Sequence, residues 1–237
     1  MKNLFTSLLI AGLLFTTFTS DSNAQDDCCG IGSIFSSLIQ SGIFGGYGIQ
    51  QFSAEGLNKS ELLLSNKDFK DYGTAMGWRV GANIIQFQHE QLMMGLKFYY
   101  QEMREKQDLT GQDMTLDIKQ FNLGTSFSYI INKSFDIRIF DVLISWTNAE
   151  LTRTGDGFDD IVFKSPETNT GFTADAGIVY YPFPPYVSLE ILGGYSIFSI
   201  DKVNLVEGVD NIDKIDDIVD GGGFFAVAVL TVGLPFN

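Results

Sequence analysis

Apolar and polar residues alternate along most of this chain with a period of two. In the stretch that begins at Thr74, apolar side chains fall on one face and small or polar side chains on the other. The apolar face comprises Met76, Trp78, Val80, Ala82 and Ile84. Such alternation predicts β-strands, because successive side chains of a strand point to opposite sides of the backbone.

The same alternation recurs in eight segments, most of them about ten residues long or more, which is the length that a tilted strand needs to cross a bilayer. The segments are 43–52, 74–87, 92–101, 119–131, 135–146, 171–181, 187–197 and 224–237. In the fifth segment the apolar phase changes from Ile137 and Ile139 to Phe140 and Val142. This change predicts a β-bulge near Ile139.

Alternation alone does not say which face meets lipid, but three features favour a membrane barrel over a soluble sandwich. Charged residues share the polar face with glycines in mid-strand, as expected for a crowded barrel interior. Connections alternate between long (53–73, 105–114, 154–168, 201–221) and short (88–91, 132–134, 182–186). Aromatic residues gather at strand ends, as in interfacial belts: Phe98, Tyr99, Tyr100, Tyr129, Trp146, Tyr180, Tyr181, Phe183 and Tyr186.

These patterns predict an all-β fold, an eight-stranded antiparallel up-and-down transmembrane β-barrel with long extracellular loops and short periplasmic turns. An even number of strands places both termini on the periplasmic side. The interior charges are Arg79, Lys97, Asp175 and Glu190. Because eight strands leave a bore that side chains can fill, we expect these charges to pair as a plug across the lumen, with a gated pore as the alternative.

The last segment predicts the strand that closes the barrel. Its lipid-facing residues are Phe224, Ala226, Ala228, Leu230, Val232, Leu234 and Phe236. We expect this strand to pair with the first one, which leaves no free sheet edge. The opposite face, with Phe225, Val227 and Val229, is unusually apolar for a lumen.

The beginning of the chain predicts export. Lys2 precedes an apolar run, and Ser22-Asn23-Ala24 fits a cleavage site, so we expect a signal peptide over 1–24, a periplasmic segment over 25–42 and the barrel over 43–237. The periplasmic segment is a candidate for a short amphipathic helix, because its apolar residues recur at helical spacing: Ile31, Ile34, Phe35, Leu38 and Ile39. Cys28 and Cys29 are adjacent, and a vicinal disulfide, pairing with another chain and free thiols all remain open. A net charge of -14 argues against a basic nucleic-acid-binding face.

The sequence offers little catalytic chemistry. Its single histidine, His89, falls in a predicted short turn, and no nucleophile motif or cluster of metal-binding histidines and cysteines is present. The expectations are therefore no enzymatic activity and no cofactor. The acidic connection 201–221 is interpreted first as a solvated acidic loop, with a short amphipathic helix on Val206, Val209, Ile212, Ile215 and Val219 as the alternative. Its weak candidates for a metal site are Asp213, Asp216, Asp217 and Asp220.

The alternating segments and the aromatic-terminated last strand resemble those of the small outer-membrane barrels of the OmpA-transmembrane-domain and OmpX type. The resemblance implies an outer-membrane location, contact with membrane lipids, and recognition of the last strand by the barrel-assembly machinery. It leaves two roles open. One is a structural or interaction protein, including a subunit of an envelope complex with a protein partner; the other is a narrow channel or a carrier of a small apolar molecule.

Overall fold

The structure is a computed structural model that describes residues 41–60, 70–109, 112–155, 160–184, 186–208 and 213–234. All described residues belong to one compact unit, Ser37–Asn237. The predicted signal peptide, Cys28, Cys29 and the candidate helical residues 31–39 lie outside the described residues, as do Val209 and Ile212.

Strands dominate the described part of the chain. They are β1 (Ser41–Ser53), β2 (Thr74–His89), β3 (Leu92–Leu109), β4 (Gln112–Asn132), β5 (Phe135–Gly155), β6 (Ile161–Lys164), β7 (Asn169–Phe183), β8 (Val187–Ile197), β9 (Ile200–Glu207), β10 (Lys214–Val219) and β11 (Gly221–Leu234). One short helix, α1 (Glu55–Asn58), follows β1. No helix among these residues is both long enough and apolar enough to span a membrane.

Eight of the strands form a closed antiparallel barrel in the order β1-β2-β3-β4-β5-β7-β8-β11. The last strand pairs with the first over a continuous register from Ser41 opposite Leu234 to Gln50 opposite Phe225. The predicted barrel and the predicted closing pair are therefore confirmed. Closure matters in lipid because an open edge would leave backbone groups without hydrogen-bond partners.

An apolar belt surrounds the outside of the barrel. On β4 the outward residues from Phe121 to Ile131 cover about 33 Å of strand, or about 25 Å of height at the usual tilt, which matches a bilayer core. Ring pairs mark its two ends, with Trp78 against Tyr100 at one and Phe135 against Tyr180 at the other. The chain is a transmembrane β-barrel.

Two aromatic residues expected in this belt lie elsewhere. Tyr99 is fully buried in the lumen, and Tyr181 lines the lumen at the end with the short turns. Their neighbours Tyr100 and Tyr180 occupy the outward positions, because adjacent residues of a strand point to opposite faces.

The predicted bulge in β5 is confirmed. Ile139 and Phe140 are consecutive and both face outward, at 43% and 42% exposure. The pairing of β5 with β7 shifts register between Arg138 and Asp141 at the same point. The bulge therefore keeps the apolar side chains on the lipid side above and below it.

A folded cap stands on the barrel at the end opposite the short turns. Strands β3, β4 and β5 continue beyond the apolar belt, and β6, β9 and β10 extend their sheet outside the barrel. The core of the cap comprises Phe52, Ala54, Leu57, Tyr72, Ala75, Met103, Met114, Leu116, Ile118, Ala149, Leu151, Phe163, Phe198, Ile200, Val203, Ile215, Ile218 and Val219. The cap thus buries a continuous apolar core above the barrel mouth.

The cap corrects two predictions about the connections. The segment 105–114 is mostly the paired end of the β3–β4 hairpin rather than a loop. The segment 201–221 forms the β9–β10 hairpin rather than a loop or an amphipathic helix. Ile215, Ile218 and Val219 all face the core, because Asp217 has a positive φ of 53° and the register shifts between Asp216 and Val219.

Candidate functional site

The interior of the barrel holds a network of charged side chains that are at most 4% exposed. Lys97 Nζ lies 2.6 Å from Asp141 Oδ2. Arg138 bridges two carboxylates, with Nη1 3.6 Å from Asp141 Oδ1 and Nη2 3.0 Å from Glu190 Oε2. The Thr231 hydroxyl donates to Glu190 Oε1 at 2.8 Å. Such pairing offsets the cost of removing these charges from water.

The structure places all four interior charges expected from the sequence inside the lumen, but it does not pair them with one another. Lys97 and Glu190 join the network through Asp141 and Arg138. Arg79 forms no ion pair with any described residue and instead stacks on aromatic rings. Asp175 accepts no hydrogen bond from any described residue.

Asp141 and Arg138 are the two ion-paired interior residues that the sequence pattern did not reveal. Both lie beside the β5 bulge, where the phase of the inward face changes. The signal was available, because a bulge that turns Ile139 and Phe140 outward necessarily turns Arg138 and Asp141 inward.

An apolar cluster occupies the next level of the lumen. It comprises Phe44, Tyr99, Leu143, Leu192, Phe225, Val227 and Val229. The Arg79 guanidinium carbon lies 4.5 Å from the centre of the Tyr99 ring and 5.2 Å from that of Phe225, a cation–π arrangement. The apolar inner face of β11 therefore packs against side chains from other strands instead of lining an open bore.

Amide and hydroxyl side chains form the level above. The Gln101 side-chain amide donates to Gln50 Oε1 at 3.0 Å and also to Gln120. Gln120 in turn donates to the Thr147 hydroxyl at 3.2 Å. This chain of hydrogen bonds crosses from β1 through β3 and β4 to β5, directly below the apolar core of the cap.

A small polar cavity remains at the short-turn end. Its volume is about 20 Å³, enough for about one water molecule. Its lining residues are Gly42, Asn83, Gln86, Arg138, Tyr181, Ser188, Glu190, Thr231 and Gly233. The cavity adjoins the charged network but is far smaller than a ligand pocket of about 300–1,000 Å³.

Hydrogen bonds hold residues 72–74, at the start of β2, to the cap. The Tyr72 hydroxyl donates to the Met114 carbonyl at 2.9 Å, and Glu105 Oε2 accepts from the backbone N–H groups of Gly73 and Thr74. Burial raises the pKa of the Glu105 carboxyl, although the two backbone donors act in the opposite direction. Burial likewise raises the pKa of the Tyr72 hydroxyl.

The four acidic candidates for a metal site are exposed on the cap. Asp216 pairs with Lys214 at 2.9 Å, and Asp220 Oδ2 accepts from the Glu55 backbone N–H at 2.7 Å. Asp213 and Asp217 are also exposed. Within the described ranges no three metal-ligating side chains come together.

The closing strand presents the expected lipid-facing residues. Phe224, Leu230 and Val232 are all exposed on the belt. The backbone of Leu234 pairs with that of Ser41, and Phe236 lies outside the described residues.

Comparison with known proteins finds similarity of structure only. The sequence matches no protein-family model and no curated protein. A solved structure of Ail, the attachment invasion locus protein of Yersinia pestis, shares 13% identity at a TM-score of 0.42, over 84% of this chain and 99% of that one. Neisserial surface protein A shares 13% identity at a TM-score of 0.46, over 81% of this chain and 96% of that one.

A third similar structure corrects one expectation. It is the outer membrane protease OmpT from Escherichia coli, with 12% identity, a TM-score of 0.45, and coverage of 83% of this chain and 95% of that one. The expectation that this chain is not an enzyme is therefore wrong. It was based on a barrel pattern without a familiar catalytic motif, but a protease is among the structurally similar barrels. The OmpA and OmpX family name is likewise not established by these similarities.

Proposed function

We propose that this protein is an outer-membrane barrel that anchors a folded cap at the cell surface and acts through that cap, as a structural or interaction subunit of an envelope complex. The observation that carries this proposal is the filled lumen. Paired charges, an apolar cluster and linked amides succeed one another along the bore, and the apolar core of the cap covers its mouth. The part of the molecule free to meet a partner is the cap.

The filled lumen weighs against the alternative of a narrow channel or a carrier of a small apolar molecule. Phe225, Val227 and Val229, whose apolar character suggested a carrier, are already covered by Phe44 and Leu192. The cavity of about 20 Å³ is lined mostly by polar residues and holds about one water molecule.

The proposed orientation places the cap outside the cell and the short turns in the periplasm. It is supported by the paired chain ends, since Ser41 and Leu234 meet at the short-turn end. A precursor exported by a signal peptide and inserted from the periplasm would leave its ends there. The outward residues of β11, with Leu234 and Phe236 beyond them, would be the signal that the barrel-assembly machinery reads.

Conductance distinguishes an anchor from a channel. We expect purified protein in planar bilayers to show no steady current, because charged and apolar side chains fill the bore. A steady current of nanosiemens scale from the wild-type protein would reject the sealed-anchor proposal. The parallel variant Phe163→Ala, which weakens the cap core, tests whether the interior remains closed when the cap alone is loosened.

Co-purification tests the interaction role. Tagged protein is extracted from its own membranes in mild detergent, and stoichiometric partners are identified by mass spectrometry. We expect a partner that is lost in the cap variant Lys202→Glu, which reverses one exposed charge on β9. The matched control, Lys133→Glu, reverses an exposed charge in the turn between β4 and β5 at the opposite end and should retain the partner. Absence of any stoichiometric partner, or equal retention in all variants, would count against a cap-mediated role.

A further inference from the structure

Two buried carboxyl groups face each other inside the barrel wall. Asp141 on β5 and Asp175 on β7 are directly opposite in the strand register. Their exposures are 0% and 4%. Side chains opposite each other in a sheet have Cβ atoms about 4.5–5.5 Å apart, and like charges at such positions repel. The strand register therefore sets these two buried carboxyl groups against each other on the inner face of the wall.

The partners of these two groups are unequal. Asp141 Oδ2 accepts a hydrogen bond from Lys97 Nζ at 2.6 Å, but no donor bonds to Asp141 Oδ1. Neither oxygen of Asp175 has a donor. A carboxylate can only accept hydrogen bonds. If both groups were ionised, three of their four oxygens would remain unsatisfied, namely Asp141 Oδ1 and both oxygens of Asp175.

Two of the neighbouring cations are already paired, since Lys97 pairs with Asp141 and Arg138 pairs with Glu190 and Asp141. The third, Arg79, stacks on Tyr99 and Phe225, and its buried Nη1 has no hydrogen-bond partner among the described residues. Of the remaining titratable groups nearby, Tyr181 donates its hydroxyl to Asp136 Oδ2 at 2.7 Å, and the buried Tyr99 hydroxyl has no hydrogen-bond partner among the described residues. Strands β1, β4 and β11 present only uncharged side chains to the described lumen. Asp175 is thus a buried carboxyl group with neither a cation nor a hydrogen-bond donor in direct contact among the described residues, whereas Asp136 at least accepts from Tyr181.

We propose that Asp141 and Asp175 form a proton-binding site in which Asp175 is the protonated member and donates its O–H to Asp141 Oδ1. One proton resolves both problems, because it removes the repulsion and gives the unsatisfied Asp141 oxygen a donor. A buried carboxyl group that lacks a counter-ion takes up a proton in preference to remaining charged. The bond joins β5 to β7 beside the bulge, where their register shifts between Arg138 and Asp141.

Infrared spectroscopy tests the site directly. The protein is labelled with ¹³C-carboxyl aspartate and examined in detergent at neutral pH. We expect the carbonyl-stretch band of a protonated carboxyl group, shifted by the label, in the wild-type protein. The band should disappear in Asp175→Asn and persist in the control Glu190→Gln, whose carboxylate is paired with Arg138. A wild-type spectrum with only carboxylate bands for aspartate would overturn the proposal, and this result needs no variant to fold.

Stability against pH provides a second readout. Asp175 would be protonated in the folded barrel and ionised in the unfolded chain at neutral pH. The folded state then binds one more proton, so the folding equilibrium constant should fall about tenfold per pH unit over the interval between the two protonation midpoints. Asp175→Asn keeps a neutral donor towards Asp141 and should lack this contribution while folding at least as well at neutral pH.

The competing arrangement has the opposite outcome. If Asp175 is ionised and a buried water links it to Arg79, Asp175→Asn removes the compensating charge. That variant would then be less stable than the wild-type protein at neutral pH. A marked loss of stability, or an identical pH slope in both proteins, would overturn the shared-proton site.

Discussion

At the scale of single residues, the interior of this barrel depends on which atoms meet and not only on which residues are charged. Arg138 illustrates the point, because it serves two carboxylates that belong to different strands, Asp141 on its own strand and Glu190 on β8. Removing a shared partner leaves buried charges without compensation, which is more costly than never having had the pair.

Replacement of Arg138 by methionine should destabilise the barrel strongly. Asp141 would keep Lys97, but Glu190 would keep only the Thr231 hydroxyl. We expect a loss of about 3–5 kcal/mol in the free energy of unfolding, measured by urea titration in lipid vesicles. Lys133→Met, at an exposed turn, should change it by less than about 0.5 kcal/mol. A small effect at Arg138 would mean that the lumen is hydrated rather than sealed.

Two adjacent glycines offer a matched test of packing on the inner and outer faces of the wall. A Cβ added at Gly194 would lie 2.3 Å from the Ala174 carbonyl oxygen and 2.7 Å from the Phe225 ring, whereas one added at Gly193 would meet nothing closer than 3.8 Å. We expect Gly194→Ala to lose about 1–3 kcal/mol of unfolding free energy and Gly193→Ala to be nearly neutral. Equal effects would contradict a filled interior at this level.

At the scale of elements, the cap is a second core that belongs to the same sheet. The sheet that makes the barrel continues upward in β3, β4 and β5, and β6, β9 and β10 add to its edge. Helix α1 then packs on β10, and the Asp220 N–H donates to the Ser53 carbonyl, so the cap returns to the strand from which it began. The free edge of β10 is thereby covered.

Loss of apolar volume in the cap should loosen the cap before the barrel. Phe163→Ala removes a fully buried ring from the cap core and should cost that core about 3–5 kcal/mol. We expect faster proteolysis within β9 and β10 while the barrel keeps its resistance to denaturation by detergent at room temperature. Val206→Ala, at an exposed site on β9, is the control and should leave the proteolysis rate unchanged. Simultaneous loss of cap and barrel would show that the two cores unfold as one unit.

The Glu105 carboxylate, which accepts hydrogen bonds from the backbone of Gly73 and Thr74, should make the stability of the cap depend on pH. Burial raises the pKa of this carboxyl above its ordinary value of 4.5, so the folded cap binds a proton more tightly than the unfolded cap does. By linkage, the Glu105 carboxyl contributes most to the stability of the cap below pH 4.5, and this contribution declines as the pH rises through the raised pKa. The difference in cap unfolding between the wild-type protein and Glu105→Gln should therefore grow over that interval. A pH-independent difference would contradict this sign.

The limits of the sequence reading also lie at this scale. Period-two alternation identified every barrel strand, because one face meets lipid and the other a crowded interior. The cap strands were missed for a physical reason, since β6 has only four residues and the backbone of Asp217 shifts the phase of β10. The sequence predicted Lys97 and Glu190 of the ion-paired network but not Arg138 and Asp141, because the bulge between those two changes the phase of the inward face.

At the scale of the whole molecule, lipid-facing and cap-facing surfaces are separated by a sharp change in chemistry. Outward residues beyond the aromatic belt become charged and pair across strands, as Arg104 does with Asp117 and Lys119 with Glu150. Pairs of this kind tolerate water and headgroups but not hydrocarbon. The boundary between the apolar belt and these charged pairs therefore sets how deeply the barrel sits in the bilayer, and the cap lies outside the bilayer core.

The pairing of the first strand with the last has a consequence for how the molecule is made. Ser41 and Leu234 are neighbours in the sheet, although nearly the whole described chain separates them. The ring cannot close until the final strand exists, and this closure joins the most distant contacts that the chain makes, which are slow to form. Until then β1 and the growing end expose unpaired backbone in an apolar sheet, the state most prone to aggregate. Biogenesis of this protein should thus be limited by its last step, with the almost complete chain as the species that needs protection.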